Sequence, residues 1–317
     1  MILPHENVET ELVENESAML NAGQNILVLG ASGLLGSTLV PYLRQCGAQV
    51  VTHGFQAAAQ VQADLSDSAA TWAMLEKIAP DVIINLAALT NVDQCEIAPQ
   101  QAYLLNVKTV ENIAAWIKAK QPACYLIQIS SDQVYDANAG QHGPFGEQQI
   151  CLTNTYAFSK KAAELASLLV DGCALRTNFF GKSARPGRIS FSDWLANSMR
   201  SEQAIEVFED VLFTPLSINT LVQMLSLIAK QQPRGVFNLG SREGLSKADF
   251  AFAFAVAAKL NSSNMRRATA SQAQQLKAYR PKDMRMDCSN IEAALNLRMP
   301  SLMQEITLCG RDYLETT

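Results

Sequence analysis

The chain has 317 residues, of which 48% are hydrophobic and 17% charged, so it can bury a substantial core and is neither disordered nor collagen-like. Its apolar runs are too short to cross a bilayer and its first residues lack the pattern of a secretory leader, so we expect no membrane contact. Its seven cysteines include no CxxC pair, which favours reduced thiols in a cytoplasmic protein over a disulfide framework.

The net charge of −5 is concentrated at the N-terminus. Residues 1–24 contain five glutamates and no lysine or arginine, so the rest of the chain is formally neutral. A neutral body offers no broad basic surface for a nucleic-acid polymer, and we expect no such partner. We predict that residues 1–24 form an acidic N-terminal extension that is solvated or frayed.

Strand-like and helix-like segments alternate from Asn25 onward. The predicted elements are a strand at 26–29, a helix over 34–46, strands at 50–52 and 61–63, a helix over 67–78, a strand at 82–85, a helix over 100–120, a strand at 125–129, a helix over 154–170 and a strand at 173–176. The strands are apolar on both faces, as in a parallel sheet covered on both sides. This order predicts an α/β fold, a Rossmann-type doubly wound parallel sheet over residues 25–180.

The pattern becomes less regular after Gly181. A loop rich in Gly, Pro and Arg over 183–189 is followed by a helix over 192–199, a strand at 236–239 and a helix over 247–260. We predict that residues 181–317 form a smaller substrate-binding lobe, partly interleaved with the first domain.

A glycine motif marks the first strand–helix junction. Gly30-Ala-Ser-Gly33-Leu-Leu-Gly36 follows the first strand and opens the first helix. Glycines there permit a tight turn and a close backbone approach to a pyrophosphate, which the helix N-terminus then faces. The motif predicts a dinucleotide site.

The end of the second strand bears on the choice of cofactor. It reads Thr52-His53-Gly54, without the carboxylate that NAD enzymes usually place near the ribose hydroxyls. A carboxylate would repel a 2′-phosphate, so its absence slightly favours NADP(H) over NAD(H), although no arginine lies nearby to bind that phosphate. His53 is either a cofactor contact or a solvated turn residue.

Three residues form a candidate catalytic set. Tyr156 is the only tyrosine with a lysine, Lys160, four residues later, and this spacing puts both side chains on one face of a helix. An ammonium beside a phenol is expected to lower the pKa of the phenol, which suits proton exchange with a carbonyl or alcohol. Ser131 follows a strand at the carboxyl edge of the sheet, where its hydroxyl can bind the same oxygen; the alternative is a turn cap.

These motifs resemble those of the extended short-chain dehydrogenase/reductases, and within them the dTDP-4-dehydrorhamnose reductase (RmlD-like) group. The resemblance runs from about Asn25 to the C-terminus and rests on the glycine motif and on the segments 64–67, 80–93, 130–135 and 280–289. It implies a nicotinamide cofactor bound by Gly30, Ser32, Gly33, Leu34, Leu35, Gly36, His53, Asp64, Leu65, Ala87, Ala88 and Lys160. It also implies a substrate that contacts Thr90, Val92, Asp132, Gln133 and Phe179.

The activity that the resemblance implies is NAD(P)H-dependent reduction of the 4-keto group of a nucleotide-linked 6-deoxyhexose. Gln133 stands where these reductases usually have Tyr, and Phe179 lies near their substrate-side Trp, so the hexose need not be the rhamnose precursor. Two alternatives stay open: a non-catalytic NAD(P)-binding regulatory subunit and a nucleotide-sugar epimerase. A dehydratase is disfavoured because Asp132 is not followed by a second acid. A homodimer is a candidate assembly.

Three arginines are candidates for binding the substrate diphosphate. Arg185 and Arg188 lie in the loop over 183–189, just before Phe191, and Arg280 begins the family-like Arg-Pro segment. Guanidinium groups bind phosphates in fork geometry, so we predict that at least one contacts a substrate phosphate; the alternative for each is a solvated surface charge. The three histidines and scattered cysteines have no metal-ligand spacing, and no metal is predicted.

Overall fold

The computed structural model describes residues 20, 23–55, 59–137, 141–272 and 276–314. The acidic extension predicted over residues 1–24 therefore lies, except for residues 20, 23 and 24, outside the described residues. Within the described ranges, none of the helices is both long and apolar enough to span a membrane.

Seven parallel strands form the central sheet. In spatial order they are β11 (Gly235–Leu239), β6 (Gly172–Thr177), β5 (Tyr125–Ile129), β4 (Val82–Asn85), β1 (Asn25–Leu29), β2 (Gln49–Gly54) and β3 (Val61–Gln62), numbered along the chain. The winding reverses at β1, which pairs with β2 on one side and β4 on the other. Ligands of such sheets bind outside the carboxyl ends of the strands at that reversal. The predicted Rossmann-type doubly wound fold is confirmed.

Helices cover both faces of this sheet. One face packs against α1 (Leu34–Gln45), α8 (Ile218–Gln231) and α10 (Ser289–Leu295), and the other against α2 (Ser68–Ile78), α5 (Thr109–Lys120) and α6 (Thr155–Ser167). The central strands are buried throughout because both of their faces contact these helices, which explains their continuous apolar character.

The region between β4 and β5 differs from the prediction. The long helix predicted over 100–120 is present, but it is not regular: α4 (Pro99–Tyr103) continues through a π-helical turn, Leu104–Lys108, into α5, and a short helix, α3 (Val92–Ile97), precedes it. A π turn has one extra residue per hydrogen-bonded ring and alters which side chains face inward. Here it directs the side chain of Asn106, which is 2% exposed, into the protein.

A second hydrophobic core lies in the C-terminal half. Three helices surround it, α7 (Phe191–Arg200), α9 (Lys247–Ala257) and α11 (Leu302–Arg311). Short strands in this half of the chain pair with one another. The pairs are β7 (Phe179–Phe180) with β10 (Leu216–Ser217), β8 (Ile205–Phe208) with β13 (Met265–Ala268), and β9 (Leu212–Phe213) with both β12 (Leu245–Ser246) and β14 (Asp283–Met284). Because α8, β11 and α10 return to the central sheet, the two halves interleave.

Candidate active site

A cleft of about 470 Å³ opens at the carboxyl ends of β1, β4, β5 and β6. Its wall includes Gly30, Gly33, Leu34, Leu35, Gly36, Ala88, Thr90, Ser131, Asp132, Gln133, Tyr156, Lys160, Thr177, Asn178, Phe179 and Arg188. The cleft therefore brings the predicted cofactor turn, the predicted catalytic set and part of the predicted substrate set into one space.

The glycine turn fits a dinucleotide phosphate. Gly30 adopts φ +72°, and a Cβ there would lie 2.9 Å from the backbone nitrogen of Ala87, so a larger residue is excluded by conformation and by space. A Cβ on Gly36 would lie 2.5 Å from the carbonyl oxygen of Ala31. Gly33 is the N-cap residue of α1, and no side chain caps that helix. Its first-turn N–H groups therefore remain available to an anion.

The other predicted cofactor residues occupy different settings. Ser32 is half-buried in the glycine turn, and Ala88 lines the cleft. The Ala87 N–H donates to the side-chain oxygen of Asn85 at 3.1 Å, which fixes the loop after β4. Asp64 is exposed and its carboxylate accepts bonds from the backbone and hydroxyl of Ser66, whereas Leu65 is buried beneath it.

The interpretation of His53 as a solvated turn residue is wrong. The residue is 2% exposed, and its Nε2 lies 3.0 Å from the carbonyl oxygen of Ala63. Burial lowers the pKa of the imidazole, so the ring is neutral at physiological pH. The ring bridges the ends of β2 and the chain after β3, and it is not part of the cleft wall.

The three predicted catalytic residues come together. Ser131 lies two residues after the end of β5. Tyr156 and Lys160 lie on one face of α6, whose N-terminus is capped by Asn154. The hydroxyl of Ser131 lies near enough to the Tyr156 phenol to lower its pKa, and it accepts a bond of 3.1 Å from the backbone N–H of Gln133, so it caps a turn as well. The ammonium of Lys160 donates to the carbonyl oxygen of Ile129 at 2.6 Å.

Burial dominates the electrostatics of the pair on α6. Burial raises the pKa of the Tyr156 phenol well above its ordinary value, and the nearby hydroxyl of Ser131, which lowers that pKa, offsets the rise only in part. The expectation of a lowered phenol pKa is thus wrong for the protein without ligand. Burial also lowers the pKa of Lys160 to about 8. Tyr156 is consequently a protonated phenol at neutral pH, which is the state of a proton donor.

A buried ion pair supports the catalytic residues from below. Arg176 on β6 and Glu164 on α6 form two hydrogen bonds of 2.8 Å, with side chains 1% and 0% exposed. Glu164 also accepts a 2.6 Å bond from the hydroxyl of Ser130, which adjoins Ser131. Arg176 in turn donates to the hydroxyl of Tyr135 at 2.7 Å. The network therefore links the end of β5 to the helix that carries Tyr156.

Asn106 connects the cofactor loop to the same helix. Its side-chain oxygen accepts from the backbone N–H of Leu89 at 2.7 Å, and its amide donates to the Leu89 carbonyl at 3.1 Å. The amide also donates to the hydroxyl of Ser159 at 2.9 Å, next to Lys160. Sequence analysis missed this residue because only the π turn brings it inward.

The substrate side of the cleft is built around Asp132. This carboxylate is 1% exposed, and it accepts bonds from the Ser131 hydroxyl at 3.2 Å and from the Asn178 amide at 2.7 Å. Burial raises its pKa to about 6. Thr177 also faces the cleft, and within the described part of the chain its buried hydroxyl has no hydrogen-bond partner. The sequence analysis missed Thr177, the last residue of β6, and Asn178, which follows it, although their position at the carboxyl edge of the sheet could have indicated them.

The other predicted substrate residues divide into two groups. Thr90, Gln133 and Phe179 line the cleft. Val92 is buried and packs in the small hydrophobic cluster that contains Tyr156, so it supports the phenol from behind.

The three predicted arginines are not equivalent. Arg188 is exposed and lines the cleft, whereas Arg185 is half-buried and is not part of the cleft wall. Arg280 donates to the carboxylate of Asp93 at 2.9 Å and to the carbonyl of Ala278 at 2.9 Å, so its guanidinium already has a counterion. Within the described ranges, no group of three or more His, Cys, Asp or Glu residues is placed to bind a metal ion.

The fold, the glycine turn and the Ser-Tyr-Lys set are those of the extended short-chain dehydrogenase/reductases, a class of NAD(P)-dependent oxidoreductases. The chain belongs to the family described as RmlD substrate binding domain, whose model matches residues 24–314. The family expected from the sequence is therefore confirmed.

Individual relatives carry two kinds of name. The methionine adenosyltransferase 2 subunit beta of Pongo abelii is 30% identical over 302 residues, covering 89% of this chain and 85% of that protein. The dTDP-4-dehydrorhamnose reductase of Streptomyces griseus is 34% identical over 145 residues, covering 45% of each chain. Among solved structures, the dTDP-4-dehydrorhamnose reductase from Bacillus anthracis in complex with NADP has a TM-score of 0.80 and 22% identity, covering 92% of this chain and 99% of that one.

Proposed function

We propose that the protein is an NADPH-dependent reductase of the 4-keto group of a nucleotide-linked 6-deoxyhexose. The observation that carries the proposal is the assembly of Ser131, Tyr156 and Lys160 in the wall of the cleft that the glycine turn also lines. The substrate class is taken from the relatives and structural neighbours named dTDP-4-dehydrorhamnose reductase.

Bound NADPH supplies the hydride. The uncapped N-terminus of α1 would hold its pyrophosphate through backbone N–H groups of residues 34–36, and Lys160 would hold the nicotinamide ribose. Asp64 and Leu65 would contact the adenine, and the absence of a carboxylate at Thr52-His53-Gly54 favours NADP(H) over NAD(H).

Tyr156 donates its phenolic proton to the carbonyl oxygen as the carbonyl carbon accepts the hydride. The raised pKa of the phenol keeps that proton in place at neutral pH until a substrate oxygen arrives. Ser131 orients the oxygen, and the Lys160 ammonium stabilises the phenolate that forms. Thr90, Gln133 and Phe179 contact the hexose.

A second candidate function is a non-catalytic NAD(P)-binding regulatory subunit. It is favoured by the 30% identity, over 89% of this chain, to a protein named as the beta subunit of a methionine adenosyltransferase. The intact Ser131, Tyr156 and Lys160 favour the reductase instead.

The two functions are separated by following the absorbance of NADPH with dTDP-, GDP- and UDP-linked 4-keto-6-deoxyhexoses. We expect consumption with at least one sugar, and Tyr156→Phe should lower turnover about 10²–10⁴-fold, the usual contribution of general acid catalysis, with NADPH affinity nearly unchanged. Binding of NADPH without consumption across the panel would favour the regulatory subunit.

A further inference from the structure

Asn154, the N-cap residue of α6, holds its side chain in one orientation by hydrogen bonds to the backbone. The residue is 3% exposed. Its side-chain oxygen accepts from the backbone N–H of Ala157 at 2.8 Å, and its amide nitrogen donates to the backbone carbonyl of Tyr279 at 3.2 Å. Because a backbone N–H only donates and a backbone carbonyl only accepts, these two partners fix which end of the Asn154 amide is oxygen and which is nitrogen.

The Tyr279 carbonyl is itself held in place from both sides. The carboxylate of Asp93 accepts from the backbone N–H groups of Lys277 and Ala278, at 3.0 and 2.8 Å. The same carboxylate accepts from the guanidinium of Arg280 at 2.9 Å. The segment that provides the acceptor for the Asn154 amide is therefore anchored to α3.

The Asn154 amide in turn fixes the orientation of Gln133, a half-buried residue of the cleft wall. Its nitrogen donates to the side-chain oxygen of Gln133 at 3.3 Å. The oxygen end of the Gln133 amide is thereby turned toward Asn154. In the described part of the chain, the nitrogen end of that amide donates to no protein group. The two N–H bonds of Gln133 are therefore the polar end of this side chain that is left for a ligand.

A group that only donates selects among sugars. An amide nitrogen binds a hydroxyl or carbonyl oxygen, but it has nothing to offer a protonated amino group, which also only donates. The tyrosine that rhamnose reductases usually have at this position can both donate and accept, so it would not discriminate in this way.

We propose that Gln133 is a specificity-determining residue whose amide, oriented by Asn154, selects a hexose that presents an oxygen and not a protonated amino group at the contacted position. This inference rests on the proposed function, since it concerns the sugar bound in the same cleft. Asn154 is the positioning residue: it is not part of the cleft wall and acts only through Gln133.

The test measures binding and not turnover. Protein saturated with NADPH is titrated by calorimetry at pH 6.5 with a nucleotide-linked 6-deoxyhexose that has hydroxyl groups at C2, C3 and C4, and with its analogues that have an amino group at C2 or at C3. The nucleotide is dTDP, UDP or GDP, whichever the parent binds most tightly. We expect the parent to prefer the hydroxyl sugar over one of the two analogues at least about fivefold, the effect of one hydrogen bond.

Two variants should shift this preference toward the amino sugar, each by at least about fivefold. Gln133→Glu puts an acceptor in the place of the amide nitrogen. Asn154→Asp still caps α6, since Asp and Asn are equally good N-caps, but its carboxylate cannot donate to Gln133, whose amide then turns its oxygen toward the cleft. The control is Ser301→Asp, which also puts a carboxylate at an N-cap, that of α11, and should keep the preference of the parent.

The outcomes separate this inference from the proposed function. A parent without the preference, or a Gln133→Glu variant with the same preference as the parent, overturns the assignment of Gln133, and this result stands even if Asn154→Asp fails to fold. An equal shift in Ser301→Asp overturns the role of Asn154. If the parent has the preference but oxidises no NADPH with the 4-keto sugars, the reductase proposal fails and the assignment of Gln133 is supported. If the parent binds none of the conjugates, both proposals are overturned together.

Discussion

The buried pair between Glu164 and Arg176 gives a sharp prediction about stability. We consider Glu164→Gln, which keeps the size of the side chain and removes its charge. Arg176 would then be a guanidinium that is 1% exposed and has no counterion at contact distance within the described structure. Removing one partner of such a pair typically costs about 3–5 kcal/mol, because the remaining charge stays out of water. The loss should appear as a lower urea midpoint with an unchanged m-value.

An exposed ion pair in the same molecule provides the control. Arg234 and Asp171 are 2.6 Å apart, with side chains 70% and 47% exposed. Asp171→Asn should therefore cost at most about 1 kcal/mol. The argument from burial would be refuted if Glu164→Gln were no less stable than Asp171→Asn.

The pH dependence of the same variant has a defined sign. The hydrogen bonds and charge of Arg176 lower the pKa of Glu164 below its ordinary value, despite burial. A carboxyl with a depressed folded-state pKa stabilises the fold above its unfolded-state pKa, about 4.3, and that contribution is lost as pH falls through the folded-state value. The stability difference between the parent and Glu164→Gln should therefore be largest near neutral pH and shrink in acid.

Three further predictions concern the cleft. Gly36→Ala should lower both stability and NADPH affinity, measured by urea unfolding and fluorescence titration, because the added Cβ would lie 2.5 Å from the Ala31 carbonyl oxygen. The control is Gly146→Ala, which should be neutral because the nearest atom to its added Cβ lies at 3.5 Å. Asp132→Asn should have a free energy of unfolding up to about 3 kcal/mol above that of the parent at pH 7.5, but little above it at pH 4.5. The reason is that the folded-state pKa of about 6 makes ionisation of Asp132 unfavourable to folding. An equal increase in the free energy of unfolding at both pH values would contradict this. Turnover should fall as pH rises through about 8, where Lys160 loses its proton. Unfolding cannot account for this fall in turnover, because deprotonation of a buried lysine favours the folded state. A flat profile of turnover from pH 7 to 9 would count against a charged Lys160.

Much of the cofactor half could be predicted from the sequence because its signals are local. The glycine turn, the apolar strands and the Tyr156–Lys160 spacing each lie within a few consecutive residues. Placing Ser131 near them needed only the rule that the carboxyl ends of parallel strands meet at one edge. The structure places the glycine turn, Ser131 and the Tyr156–Lys160 pair in one cleft wall.

The substrate half depends on contacts between distant residues, which a single sequence does not reveal. Arg280, a predicted diphosphate contact, is paired with Asp93, 187 positions away, and the sequence gives no sign of that pairing. The π turn that brings Asn106 inward is likewise invisible to a pattern of period 3.6.

The central claim is that Tyr156 protonates a sugar carbonyl while hydride reaches the adjacent carbon. The most direct measurement uses NADPH deuterated at the transferred position of the nicotinamide, with mass spectrometry and NMR of the sugar product. We expect one deuterium at C4 of the 6-deoxyhexose with the parent, and formation of that product about 10²–10⁴-fold slower with Tyr156→Phe. Oxidation of NADPH without deuterium at C4, or equal rates for the parent and Tyr156→Phe, would contradict the claim.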